Sequence, residues 1–193
     1  MSLSLTLQSN RLAAVDRLRE EQAGALTQVL SVTAFVLLTA ACAQIRIYLW
    51  EVPISLQTAA VYASGLYLGW RNGMLAQILY LALGLFLPVF AGEGTGLMYV
   101  LGAASGGYLL AYPAAAALVG YLSRSWKSLS GAGLSAIAGA AVIFTVGVIW
   151  LHYVAGHATW MESIDRGFLR FIAIDAAKIM FVSFIYASSR RVG

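Results

Sequence analysis

Charge is scarce in this chain. Asp, Glu, Lys and Arg make up 10% of its 193 residues and hydrophobic residues 61%, against about 25% and about 45–50% in soluble domains. A water-soluble fold of this composition lacks the polar surface to cover itself, so lipid must serve as part of its solvent. Cysteine occurs once, at Cys42, which excludes an intramolecular disulfide and a thiolate cluster for zinc. Among Ala40, Ala41 and Ala43 it reads as a small apolar filler. The two histidines, His152 and His157, have no carboxylate or thiolate at ligand spacing, so no metal site is expected. Lysine occurs only as Lys127 and Lys178. No G-x-x-x-x-G-K-[ST] phosphate loop is present, so any use of ATP must belong to another protein.

What the chain does contain is apolar runs. Six reach the length that spans a bilayer, about 17–25 residues: Leu26 to Gln44, Ile54 to Trp70, Met74 to Val89, Leu97 to Leu122, Gly133 to Val154 and Phe168 to Ala187. Only Arg71, Asn72 and Gly73 separate the second from the third, which predicts a tight helical hairpin there. The fourth contains Gly102, Gly106, Gly107 and Pro113, which membrane helices tolerate better than soluble ones. The expectation is an all-α integral membrane protein of six transmembrane helices, with residues 26–193 forming one membrane domain.

With the N-terminus inside, Arg11, Arg17, Arg19, Arg71, Arg124, Lys127, Arg190 and Arg191 fall on the inner side, and Arg46, Arg166 and Arg170 on the outer. The positive-inside tendency then places both termini in the cytoplasm. The net charge of +4 reports topology and contact with anionic lipid heads, and requires no nucleic-acid partner. Residues 1–25 are expected to be a cytoplasmic amphipathic segment. Leu12, Val15 and Leu18 recur every third residue beside Arg11, Arg17 and Arg19, a pattern for a short helix on the inner membrane surface.

Function is sought first at Asp175 and Lys178, opposite charges inside the last apolar run. A charge at mid-depth costs about 2.5–3.5 kcal/mol on insertion scales. At spacing i, i+3 the two share a helix face, where they can neutralise each other or together meet a polar ligand. Ser105, Gly106 and Gly107 come to a comparable depth, and paired glycines admit either a ligand or another helix. The run Glu93-Gly94-Thr95-Gly96 offers exposed backbone N–H groups, as a lid over a cavity or as a plain flexible turn. Gln57 and Thr58 bring hydrogen-bonding groups to the mouth of the second helix. Trp150 belongs either to the interfacial aromatic belt or to the wall of a ring-binding pocket. Thr39 and Ala43 form a small-xxx-small pair suited to docking another helix or to packing within the bundle.

Several of these pieces together resemble the BioY family, the biotin-specific substrate-binding (S) components of energy-coupling factor (ECF) transporters. They are Val52-Pro53-Ile54-Ser55-Leu56-Gln57-Thr58, Ala63-Ser64-Gly65-Leu66-Tyr67-Leu68-Gly69, Leu87-Pro88-Val89-Phe90-Ala91-Gly92, Gly106-Gly107-Tyr108-Leu109, Gly147-Val148-Ile149-Trp150-Leu151 and Asp175-x-x-Lys178, in the expected order. The resemblance implies a membrane protein that binds biotin in an outward-opening cavity and needs no cofactor. It implies partnership with a transmembrane coupling protein and two ABC-type ATPases in the cytoplasmic membrane. On it, Asp175 and Lys178 belong to the ligand site, the Glu93 to Gly96 loop closes it, and the first loop covers it. Biotin carries a carboxylate suited to Lys178, ureido N–H donors suited to Asp175, and an apolar bicycle suited to Trp150 or Tyr99. The chain departs from the family pattern at Ala173-Ile174, where Pro-Gly is usual, at Ala103-Ala104, and at Glu93, where some relatives place a base. Two other readings compete: an S component for a different vitamin, and an intramembrane serine hydrolase built on Ser105, which would need a nearby base.

Overall fold

The computed structural model describes residues 18–19, 23–48, 51–92 and 94–191, the last by its backbone alone. Among the described residues the regular structure is helical apart from one short hairpin. Helix α1 is Ala25–Gln44. Strands β1 (Arg46–Ile47) and β2 (Ile54–Ser55) pair antiparallel, Arg46 opposite Ser55. Then follow α2 (Gln57–Gly84), α3 (Gly96–Gly102), α4 (Gly106–Ser125), α5 (Leu129–Ala155), α6 (Trp160–Ile164), which runs on as a π turn through Asp165–Leu169, and α7 (Ile172–Arg191).

The predicted hairpin between the second and third spans exists, but it turns at Gly69 rather than at Arg71 to Gly73. Gly69 has φ 85° and ψ −175°, a conformation in which a Cβ would be strained. One residue reverses the chain. A Cβ on Gly73 would sit 3.0 Å from the Cα of Gly65, and Gln77 Nε2 donates to Ser64 Oγ at 3.1 Å across the hairpin. Each arm is short: residues 57–68 rise only about 18 Å, less than the roughly 30 Å hydrocarbon core. The predicted fourth span is likewise broken, into α3 and α4 with a 94° bend between them. Pro113 lies within α4 and is not the break. Among the described residues α1 and α5 are individually long and apolar enough to cross a membrane, and the bent pair α3–α4 passes the same test as one span.

Outward-facing side chains fit a lipid solvent. Leu26, Leu30, Met180, Phe181 and Phe184 are all exposed, which in water would be an aggregation hazard. At one end of the bundle, around Gly69 and Gly120, α2 and α4 meet at backbone distance. A Cβ on Gly120 would lie 2.4 Å from the carbonyl carbon of Gly69, and one on Gly65 2.5 Å from the Ala116 oxygen. Such contact leaves no room for a ligand at this end.

Two expectations are corrected here. Thr39 and Ala43 have no exposed surface. Thr39 Oγ1 donates to the Phe35 oxygen at 2.7 Å and accepts from Gln77 Nε2 at 3.3 Å, so the small-residue face of α1 is spent on packing against α2 and is not open to a coupling protein. Most of the expected N-terminal surface helix falls outside the described residues, but Arg19 is buried rather than laid on lipid heads. Its guanidinium donates to the oxygens of Gly120 at 2.8 Å and Leu66 at 3.2 Å. Leu66 lies in the last turn before the break at Gly69, where carbonyls lose their helical donors. Arg19 supplies one.

Candidate ligand site

At the opposite end of the bundle, the first arm of α2, α4, α5 and α7 stand apart and enclose a cavity. It is lined by Val52 and Pro53 from the β1–β2 loop, Ser55 from β2, Gln57 and Thr58 from α2, Tyr108, Leu109 and Tyr112 from α4, Ile143 and Phe144 from α5, Phe171 just before α7, and Asp175 and Lys178 from α7, with Ala91 and Ser105. Its cavity volume is about 40 Å³, well below the roughly 300–1,000 Å³ of small-molecule pockets, so the walls or the roofing loop must move apart to admit a ligand.

Asp175 and Lys178 reach this cavity from successive turns of α7, and both are buried. They are joined less by direct contact than through Thr58. Lys178 Nζ lies 3.6 Å from Asp175 Oδ1, beyond hydrogen-bond length. Instead Lys178 Nζ donates to Thr58 Oγ1 at 3.0 Å, and Thr58 Oγ1 donates to Asp175 Oδ1 at 2.7 Å. The other carboxylate oxygen, Oδ2, accepts from the Tyr62 hydroxyl at 2.7 Å. Asp175 is thus gripped by two hydroxyls of α2, one per oxygen, and each oxygen keeps a lone pair. Lys178 has N–H donors to spare beyond the one given to Thr58. The outcome is a polar floor with one anion and one cation, under walls of Ile143, Phe144, Leu109 and Phe171.

Gln57 also lines the cavity, but its amide is committed: Nε2 donates to the Tyr80 hydroxyl at 2.6 Å and Oε1 accepts from Ser55 Oγ at 2.8 Å. Other expected site residues are placed elsewhere. Glu93 lies outside the described residues. Gly94 packs against the ring of Tyr99, where a Cβ would come within 2.1 Å of Cδ2, and Gly96 has φ 85° at the start of α3. Tyr99 itself stacks on buried Phe90, with centroids 5.6 Å apart. Gly94, Gly96 and Tyr99 shape the third loop, between α2 and α3, and do not line the cavity. Gly106 and Gly107 are occupied by Trp150: a Cβ on Gly107 would be 2.1 Å from Trp150 Cβ, and Trp150 Nε1 donates to the Ala103 oxygen at 3.0 Å. The glycine pair therefore serves packing at the α3–α4 bend, and the expected aromatic wall is Phe144 and Phe171 in place of Trp150 and Tyr99.

Sequence reading missed Tyr62 and Tyr112. Their signal was the spacing: Thr58 and Tyr62, and Tyr108 and Tyr112, are i, i+4 pairs that share a helix face.

The first loop roofs the cavity and is tied down at two points. Tyr48 donates its hydroxyl to the Ala91 oxygen. Glu51 accepts from Arg166 Nη1 at 2.5 Å, with His157 Nε2 at 3.9 Å, while Arg166 Nη2 pairs with Glu162 at 2.9 Å. The backbone N–H of Glu51, then Arg166, then the His157 ring hold the Glu51 carboxyl below its ordinary range. A lowered carboxyl pKa means the tie is present above the ordinary carboxylate range and is lost as pH falls through the lowered value. Protection factors of the amides in 46–48 and 51–55, taken against the intrinsic exchange rate at each pH, should therefore fall as the pH drops through that value, and Glu51→Gln should show the lower protection already at neutral pH. Equal protection in the two proteins at neutral pH would remove Glu51 as a tie.

Both histidines are engaged at Ser163: His152 Nδ1 lies 2.9 Å and His157 Nδ1 3.0 Å from its Oγ. Ser105, which lines the cavity, has neither as a base.

Comparison with known proteins places these features in context. The family model of the BioY family matches residues 12–193. A probable biotin transporter BioY of Pyrococcus horikoshii is 36% identical over 152 residues, covering 78% of this chain and 88% of the relative. The biotin transporter BioY of Thermotoga maritima is 31% identical over 161 residues, covering 83% and 94%. Among solved structures, the crystal structure of the S-component for biotin from an ECF-type ABC transporter superposes with a TM-score of 0.75 at 27% identity, covering 89% of this chain and 96% of that one.

Proposed function

Because this chain belongs to the BioY family, we propose that it captures biotin at the outer face of the cytoplasmic membrane as the substrate-specific component of an ECF-type transporter. It is a transport component and not an enzyme. The chain crosses the membrane six times with both termini in the cytoplasm, the two arms of α2, shorter than the hydrocarbon core, serving as the second and third crossings with the bilayer locally thinned around them. Lacking a phosphate loop, it relies on two ABC-type ATPases and a transmembrane coupling protein for energy.

One observation carries the reading: a carboxylate and an ammonium, held apart by a shared hydroxyl, lie on the floor of an otherwise apolar cavity roofed by a tied loop. Biotin matches that pattern. Its ureido N–H groups meet the lone pairs left on Asp175 and its bicycle lies against Phe144 and Phe171, while its carboxylate reaches Lys178, only 3.6 Å from Asp175, with the acid chain folded back over the bicycle. The serine-hydrolase alternative has no activated nucleophile, since both histidines bond Ser163. Calorimetric titration of the purified protein with biotin and a panel of other vitamin acids should show saturable one-to-one binding of biotin. No heat with biotin, or tighter binding of another vitamin, would overturn the reading.

A further inference from the structure

Four tyrosines stand at or beneath the cavity, and three have their hydroxyls committed. Tyr62 donates to Asp175, Tyr80 donates to the Val89 oxygen at 3.1 Å while accepting from Gln57, and Tyr108 donates to the Gly167 oxygen at 2.9 Å. Tyr112 differs. It lines the cavity and is only 4% exposed, yet among the described residues its hydroxyl has no hydrogen-bond partner. Nor does it fall among the enclosed unpaired side-chain atoms, which are Gln77 Oε1, His157 Nε2 and Ser183 Oγ. Its oxygen is therefore neither hydrogen-bonded nor fully sealed, on a residue that lines the cavity. A buried hydroxyl without a protein partner calls for an explanation, and this one holds nothing else in place.

We propose that Tyr112 is a further ligand-contact and specificity-determining residue, whose hydroxyl donates to the carbonyl oxygen of the cyclic urea that Asp175 holds. The inference rests on the biotin reading above and adds a donor to it. A cyclic urea presents an N–H and a C=O side by side along one edge. Asp175, as a carboxylate, can only accept, so it can take the N–H but leaves the carbonyl oxygen without a donor. Tyr112, on the α4 wall of the same cavity, supplies one. A site that hydrogen-bonds a polar group discriminates strongly against analogues that lack it, because its own polar atom is then left unpaired.

The experiment compares wild type and Tyr112→Phe with biotin and with its thio analogue, in which sulfur replaces the ureido oxygen and accepts hydrogen bonds weakly. Tyr112→Phe removes no hydrogen bond from the ligand-free protein, so its thermal midpoint should match wild type. Biotin affinity should fall about tenfold, the thio analogue's should hardly change, and the wild-type preference for biotin over the analogue should disappear. Wild type that binds biotin no more tightly than the analogue would overturn the inference without recourse to the variant, as would equal losses for both ligands. Wild type that binds neither would overturn the biotin reading itself, and this inference with it.

Discussion

Asp175→Asn should weaken biotin binding about 100-fold and lower the thermal midpoint of the ligand-free protein, both measurable on detergent-purified material by calorimetric titration and unfolding scans. Three groups converge on this carboxylate: the hydroxyls of Thr58 and Tyr62, each at 2.7 Å, and the Lys178 ammonium at 3.6 Å. An asparagine keeps one oxygen but turns an amide N–H₂ toward one of those donors, so a donor faces a donor. The uncompensated Lys178 charge adds to the damage, since breaking a buried pair from one side costs about 3–5 kcal/mol. Hydrogen bonds to a charged acceptor contribute about 1.5–3 kcal/mol, and the upper part of that range corresponds to the 100-fold loss. The two effects separate in a double variant. Asp175→Leu with Lys178→Met removes both charges from the interior, and such replacements are often neutral or stabilising. It should recover the thermal midpoint and remain unable to bind biotin. If Asp175→Asn retained wild-type affinity, the carboxylate would not be a ligand group at all.

That pairing was visible in the chain before any coordinates, and physics explains why. Two ionisable residues one helical turn apart inside an apolar run carry a cost that announces itself in composition, and helix periodicity alone puts them on one face. What the one-dimensional pattern withheld was the cross-bundle partner. Thr58 and Tyr62 lie more than a hundred positions from Asp175, and nothing local marks them as its donors. Hydropathy also blurred the breaks. The arms of α2 and the α3–α4 pair are apolar throughout, so a window average runs smoothly across Gly69 and across Ala103 to Ser105. The breaks come from single-residue geometry and from the Trp150 bond to the freed Ala103 oxygen. Small residues were the least legible. Gly106, Gly107, Thr39 and Ala43 permit close approach by a ligand, by a partner or by a neighbouring helix, and sequence does not say which; in this fold each meets a neighbouring helix. Arg19 was misread for a related reason: an arginine beside apolar residues suits a lipid surface, and only the break at Gly69 creates the carbonyl that draws it inward.

Lys178→Met provides the second large effect, and it divides recognition of the ligand from upkeep of the site. Lys178 Nζ gives one N–H to Thr58 Oγ1 at 3.0 Å and approaches Asp175 no closer than 3.6 Å, so most of its donor capacity faces the cavity. If that capacity takes the biotin carboxylate, the variant should lose about 10–100-fold in affinity for biotin, the span of a charge-assisted bond. It should lose far less for a neutral biotin amide, which offers no anion. If instead the lysine serves only to hold Thr58 and Asp175 in register, both ligands should suffer alike, because the ureido end is common to them. Methionine keeps the stem's length and apolar packing, so the comparison isolates the charge. A variant that discriminates between acid and amide as strongly as wild type would place the ligand carboxylate away from Lys178, toward the mouth of the cavity and the third loop.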